Sequence, residues 1–238
     1  MRKRALSNEG LKLYLNATDT RPNRHWLRRL VCGVFHTQYD DHLLDVVCKC
    51  KHATQALAAE FDSENMKQRL DAGILHTVRL IITHDDKKVK RSDLERSFQF
   101  FMDVMHYSYQ YEDYQTVHML YLALTHKIIK NLNIRIKNKD IEFLERIENE
   151  YGGPSYEKHV DFWKTVKSMN ALPSLIAFDR YITRREFMGR YYEANEAKQL
   201  LSIYPFIYNN PEDIIPLYNQ IPLRESQLIR LTKKFKIR

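Results

Sequence analysis

Metal-ligating side chains crowd the first quarter of this chain: Cys32, His36, Cys48, Cys50 and His52. A structural zinc site wants four tetrahedral ligands, typically cysteine pairs two to four residues apart. Cys-x-Cys-x-His on a helical pattern instead splays its side chains around the axis. Packing in or near a core is therefore the favoured reading of these residues, and zinc the lesser one. Three cysteines, two of them close together, do not make a disulfide framework and fit a reducing compartment. His118 and His126 lie eight apart and read as packing or surface residues. No glycine-rich phosphate loop and no zinc-protease His-Glu motif occurs. No Ser, Cys or His is paired with a base at a recognisable spacing, although triads are assembled in space and escape spacing alone.

The remaining candidates concern binding. Tyr107, Tyr109, Tyr111 and Tyr114 run partly off the apolar stripe. Tyrosine offers a large amphipathic area, so exposed tyrosines suit a protein interface; packing beneath a neighbouring helix is the competing and stronger reading. Lys87-Lys88-Val89-Lys90-Arg91 reads first as a solvated loop and second as a phosphate or lipid contact. The formal net charge of +8 allows an acidic partner, whether nucleic acid, anionic membrane or protein, without choosing among them. The N-terminus carries charge but no apolar run of secretory length. No stretch approaches the ~20 apolar residues of a membrane span.

These residues need elements to position them. Only 6 Gly and 7 Pro interrupt 238 residues, which favours long helices over short strands. Residues 1–24 end in the turn-rich ATDTRPN and read as an N-terminal extension and linker. Apolar stripes at spacings of three and four follow over residues 26–34, 43–61 and 70–82. Ser92-Asp93-Leu94-Glu95 reads as a capping box, opening a helix with Phe98, Phe101 and Met105 on one face. A polar break at Tyr111-Glu112-Asp113 separates it from a second stripe of Val117, Leu120, Leu124 and Ile128, so two antiparallel helices joined by a short turn are expected. Ile141, Leu144 and Ile147 mark a short helix, and Ser155 would cap the next one, with Val160 and Trp163 inward. One long helical pattern runs from about Leu175 to Ile203, four prolines break the chain from Pro205 to Pro222, and a last helix covers Glu225 to Lys234. The expected fold is all-α: a single multi-helix orthogonal bundle over residues 25–238.

The order of these pieces resembles the catalytic domain of Ras-family guanine-nucleotide exchange factors. In that family an apolar helix leads into an Asn-Phe-Asn turn, and the following helix ends in an Arg-Leu pair. The matching stretch here is FQFFMDVMHYSYQYEDYQTVHMLYLALTHKIIKNLN, with Asp113-Tyr114-Gln115 at the turn and Asn131-Leu132 in place of Arg-Leu. A Tyr-led helix and a proline motif opening a protruding helical hairpin come next; here they are YEKHVDFWKTVKSMNALPSLIAFDRYI. The family ends on a helix of the type Glu-x-x-Leu-x-x-Leu-Ser; here the end reads IPLRESQLIRLTKKFKIR, with Thr232 at the place of the Ser. The resemblance covers residues 25–238 and is densest over 92–238.

The resemblance implies no covalent chemistry and no cofactor or metal. It implies a hairpin that inserts a hydrophobe, and a carboxylate one turn later, beside the nucleotide of a Ras-, Rap-, Ral- or Rab-type GTPase. Counted without gaps from Pro173, the family positions fall on Thr183 and Phe187; one residue earlier, Ile182 and Glu186 have the right types and share a helix face. Ile182 and Glu186 are taken as the exchange wedge, with Thr183 and Phe187 as the alternative register. The competing reading puts Ile182 in the core and Glu186 among surface arginines. GTPase contact is carried onto Tyr114, Gln115, Asn131, Phe178 and Arg185. The departures at Gln115, Asn131 and the hairpin keep a non-catalytic GTPase- or protein-binding module as the alternative. A basic helical nucleic-acid binder ranks third, and no nucleic acid is expected as partner. Membrane contact is expected to be peripheral at most. A cytoplasmic location is expected, in a host cell's cytosol if a microbe delivers this divergent member there.

Overall fold

The computed structural model describes residues 43, 46–48, 50, 51, 54, 55, 58, 61, 64–82, 91–151, 156–166, 168, 171–202 and 225–235. The expected extension over 1–24 and the first stripe, including Cys32 and His36, lie outside the described residues. The described chain is all-α, and no strand occurs among these residues. The elements are α1 (Glu64–Ile82), α2 (Arg91–Gln110), α3 (Tyr114–Leu124), α4 (Lys127–Lys130), α5 (Asn138–Tyr151), α6 (Glu157–Thr165), α7 (Leu175–Phe187), α8 (Tyr191–Ser202) and α9 (Glu225–Phe235).

The centre of the fold is α3. It packs against α1, α2, α4, α5 and α7, and nine of its eleven residues are buried. A helix buried on every side needs an apolar sequence all round; α3 supplies Val117, Met119, Leu120 and Ala123 at 0–1% exposure. Helices α2 and α3 pack against each other, as the two stripes predict, across a turn in which Glu112 takes a left-handed φ of 58°. Asp113 then caps α3, its carboxylate accepting from the Thr116 amide at 3.1 Å.

Three local expectations are corrected. Ser92 does not precede the helix, because α2 already includes Arg91; Glu95 pairs one turn back with the Arg91 guanidinium at 3.2 Å. On α5 the inward face is Asp140, Phe143, Ile147 and Tyr151, and Ile141 is exposed. The inward row recurs at three and four residues, and Ile141 falls outside it. The long helical pattern from Leu175 is two helices. Met188 ends α7 and Gly189 takes a φ of 73°. The Arg190 amide reaches the Arg185 carbonyl at 2.8 Å, and the Gly189 amide reaches that of Glu186 at 3.0 Å. These are the paired bonds of a Schellman stop, in which glycine supplies the left-handed residue without a Cβ penalty.

Leu120 tests the centre of this packing. Leu120→Ala should lower the unfolding free energy by ~2–5 kcal/mol, read by urea denaturation followed by circular dichroism. A loss well under ~1 kcal/mol would place this face of α3 outside the core.

Candidate functional site

Among the described residues, four of the eight exposed large hydrophobic side chains lie on the α7–α8 hairpin. Its root is buried: Leu175, Ala177 and Phe178 are at 0% exposure. A helix that begins inside a protein must find partners for its first amides. Ser174 Oγ accepts from the Ala177 amide at 3.2 Å, and Gln115 Oε1 accepts from the Ile176 amide at 3.2 Å. The Ser174 amide donates to His159 Nε2 at 3.1 Å, and the Ser174 hydroxyl lies 2.6 Å from His118 Nδ1. The Ser174 hydroxyl keeps both a proton and a second lone pair for this contact, so which atom donates follows the His118 tautomer. Just upstream, the chain is pinned to the α2–α3 turn. The Leu172 amide donates to the Glu112 carbonyl at 2.8 Å and the Tyr114 amide to the Leu172 carbonyl at 3.0 Å.

Ring packing surrounds this root. Tyr151 stacks on His159 with centroids 4.7 Å apart, and Phe178 meets His159 edge-on. Burial pushes His159 down to about 3 and holds His118 well below the ordinary imidazole range. On α1, burial lowers His76 to about 4. Burial also raises the Asp113 carboxyl, against its bonds from Thr116.

Farther along α7, Arg185 is clamped between helices. Its guanidinium pairs with Glu157 of α6 and, at 2.9 Å, with Glu193 of α8. Glu186 pairs with Lys198 of α8 at 2.8 Å. Beyond these pairs the tip is bare: Phe187 is 92% exposed, Met188 49%, Tyr191 63% and Tyr192 84%.

No family model, curated protein or solved structure matches this chain.

The structure sorts the sequence-derived candidates by burial. Ile182 is 3% exposed and faces the core, in the stripe Leu175, Phe178, Ile182; its spacing of three and four is the ordinary signal of an inward helix face. Glu186 is half-buried and ion-paired, whereas Thr183 and Phe187 are exposed. Tyr114, Gln115, Phe178 and Arg185, expected as GTPase contacts, are buried. They serve the hairpin's anchorage: Gln115 holds the start of α7 and Arg185 joins α6 to α8. Asn131 is exposed at the end of α4. Sequence reasoning passed over Tyr191 and Tyr192, the outer residues beyond Gly189; the isolated glycine inside an otherwise helical pattern was their signal. Cys48 is exposed and Cys50 buried, and burial raises the Cys50 thiol out of its reactive range. His52 and Lys87–Lys90 lie outside the described residues. Among the described residues no helix is long and apolar enough to cross a membrane.

The buried imidazoles make stability depend on pH. An unfolded histidine takes up a proton near pH 6.5, whereas His76, His118 and His159 stay neutral in the fold well below that. The unfolded state then binds more protons, so stability falls as pH drops below 6.5, by up to ~1.4 kcal/mol per unit for each histidine. Asp113, raised by burial, opposes this only where its native form holds a proton. The urea midpoint should be clearly lower at pH 5 than at pH 7; an unchanged or higher midpoint would contradict the neutral root.

Gly189 carries a second test. A Cβ built there meets nothing within 4 Å, so Gly189→Ala should cost backbone strain alone, ~1–2 kcal/mol. Faster amide exchange confined to the end of α7 and the start of α8 is the expected signature.

Proposed function

We propose that this chain is a guanine-nucleotide exchange factor for a Ras-like small GTPase, acting through the α7–α8 hairpin. The observation that carries the reading is a two-helix hairpin, buried and hydrogen-bonded at its root, that ends in four exposed large apolar or aromatic side chains. Soluble proteins seldom leave such a group bare without a partner for it. The reading also draws on the resemblance described above, in the order of sequence segments leading into the hairpin and in the proline before it. On this reading the inserted face is Thr183 and Phe187 with Tyr191 and Tyr192, rather than Ile182. Exchange breaks no bond: the factor binds the nucleotide-free GTPase more tightly, and by linkage the nucleotide is held less tightly. Speeding release ~10⁴-fold needs ~5.5 kcal/mol of differential stabilisation. That calls for a broad interface besides the tip, to which exposed Asn131 is a candidate contributor.

A specific observation favours the second reading, a GTPase-binding module without exchange. Ile182 is buried and Glu186 is held by Lys198, so the surface does not present the hydrophobe–carboxylate pair that the family uses.

Release of fluorescently labelled GDP from Ras-, Rap-, Ral-, Rab- and Rho-type GTPases separates the two. Faster release from at least one is expected. Unchanged release from all of them, with a nucleotide-loaded GTPase retained in a pull-down, would establish the binding module instead; no retention either would overturn both.

A further inference from the structure

We propose that the end of α4, the segment after it and the first turn of α5 form a docking face for anionic lipid headgroups. These elements are not those of the hairpin, and the proposal is independent of the exchange reading.

The sequence supplies the charge. Between His126 and Asp140 stand five cations, Lys127, Lys130, Arg135, Lys137 and Lys139, and no acid. Glu225 takes Lys127 at 2.7 Å. The other four are exposed and form no ion pair among the described residues. Asp140, the first acid that follows, is buried and held by His106 Nε2 at 3.0 Å. The exposed acids of α5 begin at Glu142 and continue up the helix, so the positive area ends at its first turn.

The fold turns this charge outward and holds it there. From Asn131 to Lys137 exposure alternates residue by residue. Leu132, Ile134 and Ile136 pack against the core, and this period of two leaves Arg135 and Lys137 on the other side. Residues two apart on extended chain are separated by ~7 Å. That is within a Debye length at physiological salt, so their fields add. The Arg91 guanidinium of α2 pins the segment by donating to the Asn133 carbonyl at 2.7 Å. Ile141 stands one turn beyond Lys137, whose carbonyl accepts its amide at 3.0 Å, and it is 40% exposed.

The chemistry of the face chooses among anionic partners. Three of the four free cations are lysines, which protein interfaces use sparingly. No Phe, Tyr or Trp lies between Tyr121 and Phe143, so the segment offers no ring on which a base could stack. A lipid surface needs neither. It needs point charges at the level of the headgroups and an aliphatic side chain to enter the boundary beneath them. The four cations and Ile141 supply both.

The test sediments the full chain with phosphatidylcholine vesicles that do or do not contain phosphatidylserine. Binding is expected only with phosphatidylserine, and should weaken as salt rises. Arg135→Gln with Lys137→Gln should lower the partition coefficient about 30-fold, and so should Lys130→Gln with Lys139→Gln. Ile141→Ser should lower it about 5-fold. Lys158→Gln with Arg184→Gln removes the same charge from exposed positions on α6 and α7, and should stay within about 2-fold of the parent. Every substituted side chain is exposed, so melting temperatures should match the parent's; should one pair disturb the fold, the other still reads the face. Equal binding to both kinds of vesicle, binding to neither, or an equal loss in the α6–α7 control would overturn the proposal. So would capture of a single-stranded oligonucleotide that both patch pairs abolish while vesicle binding stays unchanged, which would assign the face to nucleic acid.

Discussion

Starting a helix inside a protein core is the constraint on which the rest of this structure turns. The amides at the beginning of α7 point into a region from which water is excluded, and each must be met by an acceptor. Ser174 and Gln115 meet two of them, and His159 meets that of Ser174 itself. These acceptors come from three separate elements, so α3, α6 and the Pro173 segment must all be in place before α7 can begin. His159 has to keep a free ring lone pair for this, and burial holds it neutral. A charged His159 would lose that acceptor lone pair and would carry uncompensated charge into the core.

The anchored root explains how the opposite end of α7 can be so exposed. Packing along Leu175, Phe178 and Ile182 holds the helix down for most of its length. The stripe then ends in Arg185, whose stem stays inside while its guanidinium reaches acids on α6 and α8. A buried ion pair is a poor source of net stability. It does fix geometry, because three helices must hold one register for both carboxylates to reach one guanidinium. Apolar burial thus secures the hairpin, and the polar pairs orient it.

Much of this was legible in the sequence. The α2–α3 pair, the inward row of Phe98, Phe101 and Met105, and the burial of Val117, Leu120, Leu124 and Trp163 follow from spacings of three and four. Two things were not. Helix register on α7 was set by counting from Pro173 and matching residue types, which put Ile182 on the surface; the continuous stripe with Leu175 and Phe178 argued for the inside. The roles of Gln115, His118 and His159 could not be read at all. They lie 15 to 61 residues from the atoms they serve, and such pairings are made by packing, which no local pattern records. Polar residues on a helix as apolar as α3 were the available hint, since a buried polar group needs a partner somewhere.

The brevity of the Gly189 turn has a mechanical consequence. With α7 and α8 joined by three residues, Met188 to Arg190, their ends cannot part without unwinding helix. A push on the rings at the tip is transmitted down α7, a rod of about 20 Å at 1.5 Å per residue, and reaches the core at Ser174. The hairpin is stiff in compression and has its seat among the bonds that Ser174, Gln115 and His159 make at the start of α7. Whatever touches the tip therefore meets the inertia of the whole domain rather than the give of a loop.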